Sequence, residues 1–99
     1  KADTKTLLYS VDQGSTTEIA YVESQYEEHE NEDNDGLYRV RERSVTISSA
    51  IEGGIESPGV LDTVEISGEP WAISEISSDF VASHRLNIER RELIKKYRR

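Results

Sequence analysis

Ninety-nine residues make one domain with a single core, and at 34% hydrophobic residues that core must be thin. The absence of cysteine excludes disulfide frameworks, Cys-based zinc sites and thiol catalysis together. The net charge of −8 is unevenly spread, with residues 1–84 at −13 and residues 85–99 at +5, so the body repels nucleic acid and only the C-terminal end can attract an acidic partner or a phosphate backbone. No apolar run approaches the roughly 20 residues of a helical membrane span, and no signal-peptide pattern opens the chain. The start at Lys1 rather than Met is that expected of a trimmed chain.

In chain order the dominant signal is strand-like. Thr6–Val11 and Thr17–Val22 are short β-branched or aromatic runs around the turn composition Asp12-Gln13-Gly14-Ser15, which predicts a hairpin. The segment Glu28-His29-Glu30-Asn31-Glu32-Asp33-Asn34-Asp35-Gly36 follows. Leu37–Arg41 and Ser44–Ser48 each alternate, but the phase slips between Val40 and Val45, which predicts a bulge or break near Glu42. Gly53-Gly54 and Pro58-Gly59 mark a loop. Asp62–Ile66 and Trp71–Ser74 flank Ser67-Gly68-Glu69-Pro70 as a second hairpin, and His84–Ile88 alternates as a last strand. The expected architecture is mainly β: a small antiparallel β-barrel or sandwich over residues 1–88, with a mobile acidic loop and a basic C-terminal tail over residues 89–99. Trp71, Ile73, Val64, Ile66, Leu86 and Ile88 are expected to supply much of the core.

The acidic segment poses a chemical question. In a Ca²⁺-loop register, Asn31, Asp33 and Asp35 take ligand positions 1, 3 and 5, Gly36 the sharp turn, and Glu42 position 12. Such a loop needs a helix leaving it, whereas residues 43–49 are rich in β-branched side chains. The segment therefore reads as a solvated acidic turn between two strands, with Glu27, Glu28, Glu30, Glu32, Asp33 and Asp35 as its charges.

No other constellation carries chemistry. His29 lies among acids as a counter-ion, and His84 shares a strand face with Leu86 and Ile88 as a partly buried sheet histidine rather than a general base. The chain contains no Gly-x-Ser-x-Gly elbow, phosphate-cradling glycine loop or His-x-x-x-His pair, and its many serines have no positioned base. Trp71, just after the hairpin turn and in phase with Ile73, reads as a core anchor. Neither an enzyme nor a cofactor is expected.

In the tail, Glu89 and Glu92 lie toward the start and Lys95, Lys96, Arg98 and Arg99 at the end, and Arg90, Arg91, Leu93, Ile94, Lys95, Lys96, Tyr97, Arg98 and Arg99 are the expected partner-binding residues. Acids at the start and cations at the end suit a helix dipole, and Glu92 can pair with Lys96 one turn on. Leu93, Ile94 and Tyr97 would then share one face. Eleven residues are too few for a stable isolated helix, so the free tail should fray or lie along its own domain, and partner contact should supply the rest of its order. An assembly arm, a cap on the chain's own barrel and a nonspecific DNA-binding arm are three readings of the same residues.

The stretch Gly59-Val60-Leu61-Asp62-Thr63-Val64-Glu65-Ile66-Ser67-Gly68-Glu69-Pro70-Trp71-Ala72-Ile73, followed by Leu86-Asn87-Ile88-Glu89-Arg90-Arg91, resembles the closing strands of the phage head-tail joining proteins, the lambda-like head-completion or neck family. With residues 37–48 as the preceding strand pair, the resemblance spans about residues 37–99. It implies a compact β-barrel or sandwich without catalysis, assembling as a homo-oligomeric ring between the portal or head-completion protein and the tail protein. It further implies a place in the virion, with host cytoplasm during assembly, no membrane partner, and DNA that passes through the ring without sequence-specific binding. The alternative from the residues alone is a small soluble β-fold binding module, cation-dependent if the acidic turn holds an ion, that holds a partner by the acidic turn or the tail.

Overall fold

The computed structural model describes residues 5–97, apart from the side chains of residues 79 and 80. Six strands account for the fold: β1 (Lys5–Ser10), β2 (Thr16–Glu32), β3 (Gly36–Ser48), β4 (Thr63–Ile66), β5 (Glu69–Phe80) and β6 (Ser83–Lys96). They close into an antiparallel barrel in the order β1-β2-β3-β6-β5-β4, with β1 pairing β4 through Leu8–Glu65, Tyr9–Val64 and Ser10–Thr63. The barrel is the antiparallel fold that the alternating strands predict.

Each strand contributes one i, i+2 pair to the interior: Leu7 and Tyr9, Ile19 and Tyr21, Val45 and Ile47, Val64 and Ile66, Trp71 and Ile73, Leu86 and Ile88. Alternate side chains of a strand face opposite sides of the sheet. Closing six strands therefore brings all twelve of these side chains onto one axis. The six residues expected in the core are all there, and Trp71 is 2% exposed.

The hairpin between β4 and β5 turns on two residues, with Ile66 opposite Glu69. Ser67 and Gly68 have φ of 53° and 81°, the left-handed pair of a tight hairpin turn whose twist matches its strands. At the opposite end of the barrel the long β3–β4 connection is pinned by side chains. Asp62 accepts from the Tyr9 hydroxyl and the Gly59 amide through one oxygen and from the Asp12 amide through the other. His84, 9% exposed, bonds Ser78 Oγ at 2.7 Å and the Glu56 carbonyl at 3.1 Å. A carbonyl can only accept, so Nε2 carries a proton and the ring acts as a strut between β5, β6 and the connection. This is the sheet histidine that the alternation predicts.

Three expectations are corrected. Strand β3 is unbroken from Gly36 to Ser48, and the irregularity lies in its neighbour, where Ser24 is inserted between the Glu23–Val45 and Gln25–Ser44 pairs. The phase slip has another cause: Val45 points into the barrel, while Val40 lies beyond it and is covered on the opposite face. Second, the acidic segment is not a loop over its length. Glu27, Glu28, Glu30 and Glu32 belong to β2, and the turn is confined to residues 33–35, with Asp33 and Asp35 in it. Third, residues 89–96 are strand rather than helix. Pairing along β3 supplies their backbone hydrogen bonds, whereas a helix of this length would leave that edge of β3 open to water.

Candidate assembly arm

Beyond the barrel, β2, β3 and β6 continue together as a three-stranded arm, and they give the molecule its 50 × 34 × 26 Å extents. The pairing of β5 with β6 ends at Ala72–Glu89, and that of β1 with β2 ends at Lys5–Tyr21. From there to the tip the arm is a ribbon with β3 in the middle. The β3 segment from Gly36 to Arg43 alone is roughly 25 Å long.

The arm brings together the two segments that look independent in sequence. Its acidic edge is Tyr26–Glu32 on β2, its basic edge is Arg91–Lys96 on β6, and Leu37 pairs with Glu32 on one side and Lys95 on the other. At the tip, Asp33 Oδ1 accepts from the amides of Asp35 and Gly36, an Asx turn that closes the β2–β3 hairpin. The Tyr97 amide donates to the Asp35 carbonyl and its hydroxyl donates to Glu32 Oε2 at 2.8 Å. That hydrogen bond pushes the Tyr97 phenol pKa up. Gly36 is needed here because a Cβ would meet the Lys95 carbonyl oxygen.

One face of the arm continues the barrel interior as a charge ladder. Arg39 faces Glu28 at 3.3 Å, Arg41 bonds Glu92 and lies 3.7 Å from Glu69, and Arg43 bonds Glu23 at 3.1 Å. The Arg41 bond holds the Glu92 carboxyl below the usual carboxylate range and raises the Arg41 pKa in return. Arg90 donates to the Pro70 carbonyl and reaches Glu69, tying β6 to the β4–β5 turn. On the other face, Arg91 lies 4.5 Å over the Tyr38 ring and 3.6 Å from Asp33, and His29 is 3.7 Å from Glu42. Val40 sits between His29 and Arg91 and is 5% exposed.

The expected partner-binding residues thus divide by environment. Arg90 and Arg91 are engaged within the chain, whereas Leu93 (53%), Ile94 (42%), Lys95 and Lys96 stand exposed on the outer edge. Arg98 and Arg99 lie outside the described residues. Glu42 is part of β3 opposite Glu27 and Glu89, about 20 Å of strand from Gly36. The twelve-residue calcium register therefore does not fold into a loop. Sequence reasoning missed the ladder of Arg39, Arg41 and Arg43. Its signal was present, since three of the five cations of the acidic body recur there at every second residue.

No protein-family model matches the chain, and no curated protein matches it. Among solved structures it is similar to a chain described as "Virion of native gene transfer agent (GTA) particle", with a TM-score of 0.58 and 12% sequence identity over 94% of this chain and 94% of that one. At that identity the likeness shows a shared fold, and its coverage takes in barrel and arm alike.

Proposed function

We propose that this chain is a structural protein of a phage-like virion, and that it joins the head portal to the tail as one subunit of a neck ring. The observation that carries the reading is the likeness, over 94% of both chains, to a component of a gene transfer agent particle. The resemblance of residues 59–73 and 86–91 to head-tail joining proteins agrees with it and supplies the finer role. A barrel with a projecting arm suits such a role: the barrel gives a rigid body, and the arm offers extended backbone and charge to neighbours. The work proposed is positional, with no catalytic step. The net charge of −13 over residues 1–84, repeated around a ring, would present negative charge that keeps DNA from adhering as it passes.

The test is genetic and structural together. In a host producing particles, an epitope-tagged chain should co-sediment with purified virions and map to the neck by electron microscopy. Deleting its gene should leave filled heads and free tails unjoined. Normal particles from the deletion strain would overturn the reading and favour a binding module independent of the virion.

A further inference from the structure

Two strand edges of the arm are unpaired among the described residues, and they carry opposite charge. Strand β2 from Tyr26 to Glu32 holds four glutamates and no lysine or arginine, while β6 from Arg91 to Lys96 holds three cations and one acid. An exposed edge presents a row of free amides and carbonyls to any strand that can lie beside it. Soluble monomers usually blunt long edges with charge. Here the blunting is of one sign on each edge, so each edge repels its own kind and attracts the other.

We infer that the acidic β2 edge of one copy pairs with the basic β6 edge of the next, making a continuous intermolecular sheet through the arms. This rests on the reading above that the chain is an assembly component, and it names the surface by which copies meet. Two-fold pairing of β2 with β2 would set glutamates against glutamates, and of β6 with β6 lysines against lysines. Both are disfavoured by like charge. Pairing β2 with β6 uses different surfaces on the two copies, so it propagates head to tail, the kind of contact from which rings are built when the rotation between copies closes.

The topology fixes the direction of that pairing. Strands β2 and β6 each run antiparallel to β3, so they run parallel to one another, and copies standing side by side with their arms aligned form a parallel pair. Leu37 pairs with both Glu32 and Lys95, so those two residues stand level on the arm. Aligned copies bring Lys95 of one beside Glu32 of the next. Leu93 and Ile94, exposed on the basic edge, then gain cover from the neighbouring strand.

The chain has no cysteine, so engineered thiols report this contact without background. Within one chain, positions 32 and 95 are separated by two strand spacings, about 9.5 Å, beyond the roughly 7 Å limit for a disulfide. A chain carrying both Glu32→Cys and Lys95→Cys should give, on oxidation, a ladder of dimers, trimers and higher species, whereas either single variant alone should stay monomeric and a mixture of the two single variants should give dimers. Charge reversal provides the second arm of the test. Glu30→Lys with Glu32→Lys, or Lys95→Glu with Lys96→Glu, should each abolish association, and the chain carrying all four should recover it. Circular dichroism and melting temperature establish that the variants fold. A double-cysteine chain that stops at dimers, or reversed chains that associate like the wild type, would overturn the inference. Incorporation of wild-type chain into particles is scored separately: particles that take up the reversed chains normally defeat the edge pairing alone, while absence of the wild-type chain from particles defeats the virion reading.

Discussion

The guanidinium of Arg43 lies 4.8 Å from the centre of the Trp71 ring, closing the barrel interior where the arm departs. The same group is 5.5 Å from the Tyr26 ring and bonds Glu23, so β2, β3 and β5 meet at one cation. Trp71 is the only tryptophan, which makes its fluorescence a direct probe of this junction. Trp71→Ala should cost about 3–5 kcal/mol in denaturant unfolding, the range for emptying a large aromatic site in a core. Arg43→Ala should cost about 0.5–2 kcal/mol and shift the emission to the red. A loss under about 1 kcal/mol for Trp71→Ala would place the ring at a surface instead.

The Asp62 cluster makes the barrel sensitive to acid. Burial raises the Asp62 pKa, but hydrogen bonds from Tyr9 and from the Asp12 and Gly59 amides outweigh it, and the net shift is downward. A carboxylate with a folded pKa below its unfolded value near 3.9 contributes stability that is full above that value and is lost as pH falls through the folded pKa. Asp62→Asn should remove that part of the acid dependence. Tyr9→Phe should cost about 1–2 kcal/mol at neutral pH, because it deletes the buried donor while the two amide bonds remain. Urea titrations from pH 6 to pH 2 check both.

The β4–β5 turn can be improved. Ser67 occupies a left-handed conformation that asparagine tolerates better, and Asn-Gly is the favoured pair for this turn. Ser67→Asn should stabilise the fold by about 0.5 kcal/mol, and Gly68→Ala should destabilise it by about 1 kcal/mol. Melting temperatures moving in opposite directions would establish the turn as a determinant of register.

Arg41 joins Glu92 and Glu69 across the base of the arm. Arg41→Ala should leave the barrel protected and raise amide hydrogen exchange in residues 39–41 and 90–92. Equal protection in wild type and variant would show that strand pairing alone holds the arm.

Calcium should leave the melting temperature unchanged. Asp33 already accepts two backbone amides in its turn, and Glu42 lies along β3 beside His29 rather than at the turn. Micromolar binding in a calorimetric titration, with a rise in melting temperature, would overturn that expectation.

Local pattern determined the strands and the core of this protein. The i, i+2 pairs at 64 and 66, 71 and 73, and 86 and 88 could face only one side of a sheet, and burying them required that side to be interior. Ser67-Gly68 likewise fixed a tight turn by its own conformational preference. The tertiary structure alone decided where β2, β3 and β6 cease to be barrel and become arm. Glu89 to Lys96 carries charges that favour a helix locally, yet it is strand because β3, some fifty residues away in sequence, offers it a ladder of backbone partners. Val40 and Val45 break phase because they serve opposite faces of one strand, one above the arm and one inside the barrel. The opposite charges of the two edges are plain in the sequence. That they flank the same strand follows from pairing between distant segments, which no local propensity encodes.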